Sequence, residues 1–114
     1  VTFGLNVKIH EVSYKTVMQI DGRLDATSAP VLENKLSELI TAGKKKLVID
    51  FAKVDYLSSA GMRLLLSTTK KIKGLDGKLH FCSISDEVME IIKMAGFERI
   101  LHIFPTEEEA LSAL

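Results

Sequence analysis

Leu47-Val48-Ile49-Asp50-Phe51, and after it Val54-Asp55-Tyr56-Leu57-Ser58-Ser59-Ala60-Gly61-Met62-Arg63, is the stretch on which the reading of this chain turns. The first part is a β-favouring apolar run, the pattern of a buried strand. After it, Met62, Leu65, Leu66, Thr69 and Ile72 recur at helical spacing and predict the inner face of a helix that runs to about Lys73. Ser58 and Ser59 therefore sit where a strand hands over to a helix. The first backbone N–H groups of a helix have no intrahelical partner and carry partial positive charge. A serine placed there serves as a cap, holds an anion, or becomes an anion itself by phosphorylation.

Towards the N-terminus, Phe3 to His10 and Tyr14 to Ile20 are two β-rich stretches joined by a short polar link. They predict a hairpin, with Val7, Ile9, Val17 and Ile20 as candidates for its buried side. Asp21-Gly22-Arg23-Leu24-Asp25 follows as a turn or short extension. A helix is expected from a Ser28 cap, with Pro30 in its first turn, Leu32, Leu36, Leu39 and Ile40 on one face, and Gly43 at its end. Lys44-Lys45-Lys46 reads as a solvated loop before the central strand.

Towards the C-terminus, Gly74 and Gly77 bracket a turn before a strand from Lys78 to Ser83. Ser85-Asp86-Glu87 starts a helix with Val88, Ile91 and Ile92 inward, and Gly96 stops it. Ile100 to Phe104 is a short strand candidate, ended by Pro105. Thr106-Glu107-Glu108-Glu109 has the form of a capping box and opens a last helix, with Ala110, Leu111 and Leu114 inward. The order β-β-α-β-α-β-α-β-α predicts an α/β fold: a mostly parallel central sheet with an N-terminal hairpin, right-handed crossovers and helices packed on it. With 114 residues and no repeat or linker, residues 1–114 read as a single domain. The chain opens on Val1 rather than Met, so its start is expected to be processed or trimmed.

Composition removes several function classes. Lysine plus arginine number 15 and aspartate plus glutamate 15, so nothing favours direct binding of nucleic acid or of an anionic membrane. The apolar runs are too short to span a bilayer. The single cysteine, Cys82, lies in a strand candidate, reads as a buried inert thiol, and fits a reducing cytoplasm. His10, His80 and His102 are far apart, with no cysteine or carboxylate at metal-ligand spacing, so no metal is expected. Gly74-Leu75-Asp76-Gly77 lacks the lysine-serine and the context of a phosphate loop, and no cofactor is expected. Ser58-Ser59-Ala60-Gly61 is only a loose version of a nucleophile elbow, because Leu57 stands where a glycine belongs. Asp21 and Asp25 are a carboxylate pair or simply turn-formers. Nothing here argues for an enzyme.

Asp50 through Arg63 resembles the STAS family, in particular the bacterial anti-sigma factor antagonists, whose pattern here is an aspartate and a serine, a second small residue, glycine and an apolar residue. Gly22-Arg23-Leu24-Asp25 resembles the family's Gly-x-Leu/Ile-Asp motif, and Met94-Ala95-Gly96-Phe97 its Gly-Phe/Leu segment. The resemblance implies that Ser59 is phosphorylated by a serine kinase that is itself the anti-sigma factor. Ala60 takes the second small position and Gly61 is the family glycine. Ser58 replaces the family aspartate, which removes a negative charge beside the acceptor, while Asp25 is retained.

On this resemblance the unmodified protein binds the anti-sigma factor and frees a sigma factor, and phosphorylation at Ser59 makes it let go. The implied partner-binding residues are Asp25, Ala26, Thr27, Leu57, Ser58, Ala60, Gly61, Met62 and Arg63. Arg63, one helical turn after Ser59, faces the partner, shields the phosphate, or is an ordinary solvated residue. A phosphatase that resets the switch is a candidate further partner, the expected location is cytoplasmic, and the expected state is a monomer or weak dimer. Two other readings stay open: a scaffolding or ligand-sensing STAS module without regulated phosphorylation, and a small hydrolase with one histidine within hydrogen-bond reach of Ser59.

Overall fold

A computed structural model describes residues 4–114, so Phe3, placed at the start of the hairpin from sequence, lies outside the described residues. Strands β1 (Leu5–Val12) and β2 (Lys15–Leu24) form the N-terminal hairpin. Its loop is Ser13-Tyr14, with φ of 49° and 68°, the backbone of a type I′ turn whose twist matches the strands it joins. Then come α1 (Ala29–Thr41), β3 (Lys46–Leu57), α2 (Ser59–Gly74), β4 (Lys78–Cys82), α3 (Asp86–Met94), β5 (His102–Phe104) and α4 (Glu107–Ser112). The strands lie in the spatial order β1-β2-β3-β4-β5, antiparallel in the hairpin and parallel throughout the rest. The element order and the mixed, mostly parallel sheet are those expected from the sequence.

Strand alternation divides the side chains between two cores. Met18, Ile20, Leu24, Leu47, Ile49, Phe51, Leu79 and Phe81 meet Leu32 and Leu36 of α1, Met62, Leu65 and Ile72 of α2, and Val88 and Ile92 of α3. Phe51 and Phe81 pack edge to face beneath these helices, with ring centroids 6.0 Å apart. On the opposite face, Val17, Val48 and Cys82 meet Ala110 of the short α4. That helix covers only part of its face.

The largest departure from the sequence reading is the length of β3. Expected to end at Phe51, it continues to Leu57. Two register shifts against β2 explain why: Gln19 pairs with Asp50 but Asp21 with Lys53, and Gly22 pairs with Val54 but Arg23 with Tyr56. Each places one extra residue on β3, as a β-bulge does. The buried positions after Phe51 are therefore Val54 and Leu57, a spacing of three that breaks strand alternation.

Smaller differences accompany it. Of the two readings of Asp21 to Asp25, a turn or a short extension, the structure shows the extension, with β2 running through Leu24. Ile9 is 41% exposed, because β1 is an edge strand and that part of it lies beyond the reach of the helices. Leu64 and Thr68 of α2 are buried, while Leu66 and Thr69 are half-buried at the margin of the inner face. Strand β4 stops at Cys82, since Ser83 has φ of 59°, and β5 begins at His102, with Leu101 buried and Ile100 exposed.

Candidate functional site

The C-terminal end of β3 and the start of α2 are joined without a loop. Ser58 is the N-cap in extended conformation, and its hydroxyl accepts from the Gly61 N–H at 3.1 Å. Its carbonyl accepts from the Met62 N–H, and its own N–H donates to the Leu24 carbonyl at 2.9 Å, tying the cap to β2. Ser59 is the first helical residue and is exposed. Among the described residues nothing hydrogen-bonds its hydroxyl, and the N–H groups of Ser59 and Ala60 are uncommitted at the positive end of the helix. The two serines thus divide the work: one fastens the junction and the other presents a free hydroxyl.

Gly61 lets the helix sit this low. A β-carbon there would lie 2.8 Å from both Cγ and the carbonyl oxygen of Leu24, and 2.9 Å from a Leu57 methyl. Loss of the Ser58 cap has a measurable cost of its own. Ser58→Ala is expected to lower unfolding free energy by about 1 kcal/mol, whereas Ser59→Ala is expected to be near neutral, a contrast that urea denaturation resolves.

The second part of the site is the turn from β2 into α1. Asp25 Oδ1 accepts from the N–H groups of Thr27 and Ser28, both at 3.0 Å. Ser28, expected to cap α1, makes no side-chain cap bond to it. Its buried hydroxyl accepts from the Asp25 N–H and donates back towards the Arg23 carbonyl, so the capping carboxylate belongs to Asp25 and Ser28 braces the turn. Arg23 reaches Asp25 at 3.9 Å and lies over the Tyr56 ring, 4.3 Å from its centroid. Neither Arg23 nor Tyr56 was singled out from sequence, and only the bulged pairing of Arg23 with Tyr56 brings them together.

The Asp25 carboxyl is held below its ordinary value, first by the Ser28 N–H. Partial burial opposes this, and the Ser28 hydroxyl, the Thr27 N–H and the Arg23 charge add to it. A carboxyl lowered in the folded state stabilises fully above its unfolded pKa, about 3.9, and that contribution is lost as pH falls through the lower folded value. Thermal melts from about pH 5 to about pH 2 are therefore expected to fall less steeply for Asp25→Asn than for the unsubstituted chain.

Of the residues expected to contact a partner, Asp25, Ala26, Thr27, Ser58, Ala60 and Arg63 reach the surface, in whole or in part, around Ser59. Leu57 and Met62 are 1% and 3% exposed and Gly61 is buried, so their place is corrected: they face inward, because the inner faces of β3 and α2 run unbroken through the junction, and they position this surface without forming it. Arg63 is exposed and, with Ala26, Ala29, Glu33, Ala60 and Ser67, lines a shallow groove between α1 and α2.

The residues of other chemistries lie elsewhere. His80 bonds the Ala110 carbonyl through Nδ1 at 3.0 Å and packs against His102 and Phe104, while His10 approaches Glu107 at 4.0 Å. All three histidines are thus engaged on the α4 face, and the histidine–Ser59 pair that a hydrolase requires is not made. Burial, with the Asp50 charge second, pushes the Cys82 thiol up to about 12, so it is no nucleophile. Among the described residues, no group of side chains has the makings of a metal site, and no helix is long and apolar enough to cross a membrane.

Comparison with known proteins gives a consistent result. The family model of the STAS domain matches residues 5–110. BtrV of Bordetella bronchiseptica is 30% identical over 94 residues, which cover 82% of this chain and 81% of that protein. The anti-sigma-F factor antagonist RsfB of Mycobacterium tuberculosis is 26% identical over 111 residues, covering 97% and 90%. In fold, the chain is similar to SpoIIAA, a Bacillus cell fate determinant and anti-sigma factor antagonist, whose unphosphorylated form superposes with a TM-score of 0.79 at 21% identity, over 95% of each chain. The phosphorylated form of SpoIIAA gives 0.72 at 20% identity, over 95% of this chain and 98% of that one.

Proposed function

The chain belongs to the STAS domain family, and from this we propose that it is an anti-sigma factor antagonist whose binding is switched by phosphorylation of Ser59. In the unmodified state it binds an anti-sigma factor of the serine-kinase type and so releases a sigma factor. Phosphorylated, it lets go. The observation that carries this reading is the exposed and uncommitted Ser59 hydroxyl at the first position of α2, held in place by the Ser58 cap. That SpoIIAA exists in unphosphorylated and phosphorylated forms of this fold supports it.

The chemistry suits a switch. A phosphate adds about −1.5 to −2 charges and strong acceptor oxygens. At Ser59 it meets the free N–H groups of Ser59 and Ala60, so the domain itself accommodates it. The gain there is about 0.3–1 kcal/mol, and the nearby Asp25 offsets part of it. Across a protein interface the same charge has to be desolvated without a matched partner, which costs several kcal/mol. The kinase recognises the surface built by Asp25, Ala26, Thr27, Ser58, Ala60 and Arg63, and a phosphatase resets the acceptor.

Affinity capture from lysate with added ATP tests this, using the unsubstituted chain, Ser59→Ala and Ser59→Asp as baits. An ATP-binding kinase-like protein held by the first two and lost from the third is the expected result. Three identical captures would overturn the switch.

A further inference from the structure

We infer that the sheet face left uncovered by α4 holds a second site, unconnected with Ser59, that binds a small zwitterion of the amino-acid or dipeptide class. A cleft of about 540 Å³ lies there, within the size range of small-molecule sites. Its polar lining is Asn6, Lys8, Gln19, Asp21, Asp50 and Lys53. The pairing of β1, β2 and β3 arranges these in two adjacent rows across the strands, Lys8-Gln19-Asp50 and Asn6-Asp21-Lys53.

Between the two rows lies the first bulge of β3, which bends the strand and makes the floor concave. Asp50 is at that floor and only 9% exposed. One of its oxygens accepts from the Ala52 N–H at 2.8 Å, and the other, open to the cleft, has no hydrogen-bond donor among the described residues. A serine or threonine would take the Ala52 N–H without the cost of a buried charge. A carboxylate kept there, beside an open cleft, is a group set to receive a cation.

The other charges define the remainder of the ligand. Among the described residues, no ion pair joins Lys8, Asp21, Asp50 or Lys53 to one another or to any other residue, although all four share the cleft. A ligand with positive charge alone would meet Lys8 and Lys53, and one with negative charge alone would meet Asp21 and Asp50. A molecule with an ammonium for the aspartates and a carboxylate for the lysines satisfies both pairs. Lys8 and Asp50 stand two strand spacings apart, about 10 Å between backbones, which flexible lysine side chains shorten to the charge separation of an amino acid or dipeptide. No aromatic ring lines the cleft, so nothing there stacks a nucleobase. Gln19 is steadied at one wall by Glu107 of α4, at 3.4 Å.

The test is a set of amide-resolved NMR titrations of the whole chain with each of the common protein amino acids and with glycylglycine. Partner forms are N-acetylated, which removes the positive charge, or amidated, which removes the negative one. At least one zwitterion is expected to shift the amides of Gln19, Asp21 and residues 50–53 saturably, with both blocked forms weaker by at least about tenfold. Asp50→Asn, which keeps an acceptor for Ala52, is expected to weaken binding by a similar factor. Lys53→Gln, at an exposed position, supplies the same test should the first variant fail to fold. No saturable shift from any zwitterion, shifts that map outside the cleft, or equal binding by the blocked forms or by the folded variants would overturn the inference.

Discussion

Phosphorylation of Ser59 is expected to weaken the complex with the anti-sigma factor by about a hundredfold or more, while changing the stability of the isolated domain by only about 1 kcal/mol or less. The two effects part company because the same charge meets different surroundings. In the isolated domain the phosphate lies in water at a helix start with two free N–H groups. In the proposed complex it would be trapped between two protein surfaces, this chain's own side carrying the Asp25 carboxylate. Burying an unmatched charge costs several kcal/mol, and each 1.4 kcal/mol is a factor of ten in affinity. Titration calorimetry with the purified partner and chain bearing phosphoserine at position 59 measures the first effect, and thermal melts measure the second. Equal affinities would remove Ser59 from the switch. A collapse of the melting temperature would instead show that the phosphate acts by unfolding the junction.

Phe51→Ala is expected to lower unfolding free energy by about 3–5 kcal/mol, a large part of the roughly 5–15 kcal/mol that holds a domain of this size. Phe51 is fully buried on the central strand and contacts Phe81 edge to face, so truncation removes the ring's burial, the aromatic contact and the filling of a space that β3 and its helices cannot close. Urea unfolding should show a lower midpoint with an unchanged slope. A loss well under 2 kcal/mol would mean that the layers collapse into the vacated volume, and that the core is softer than its packing implies.

Much of this architecture was legible because local signals agreed with one another. Gly43 and Gly96 adopt positive φ where helices were expected to stop, and Ser85 and Thr106 accept the cap bonds expected of them. The second half of β3 was hidden for a definite reason. Bulges spoil the period-two pattern, so Val54 and Leu57 looked like a loop leading to the serines when they are the inner residues of a bent strand. At the site, the handover from strand to helix at Ser58 and Ser59 was legible, while the bond from the Gly61 N–H is what separates Ser58 as cap from Ser59 as exposed hydroxyl. The inward turn of Leu57 and Met62 was harder to see, because a motif read as a line carries no record of which side faces the sheet. Arg23 over Tyr56 and the two polar rows around Asp50 depend on pairing between strands, which spacing along one strand cannot reveal.

The Ser58 cap and its bond to Leu24 bear on how related signalling pairs stay separate within one cell. Leu24, Leu57, Gly61 and Met62 lie buried beneath Ser59, while Ala26, Thr27, Ala60 and Arg63 stand around it at the surface. The upper set is free to diverge without disturbing the lower one. On the proposed switch, a duplicated copy acquires a new partner by changes at the rim alone, with the Ser59 junction inherited intact. Because rim residues come from segments distant in sequence, a modifying enzyme that reads the rim reads a folded surface and not a linear peptide. Insulation between parallel circuits is then a property of shape, conferred by how firmly one serine fastens the other.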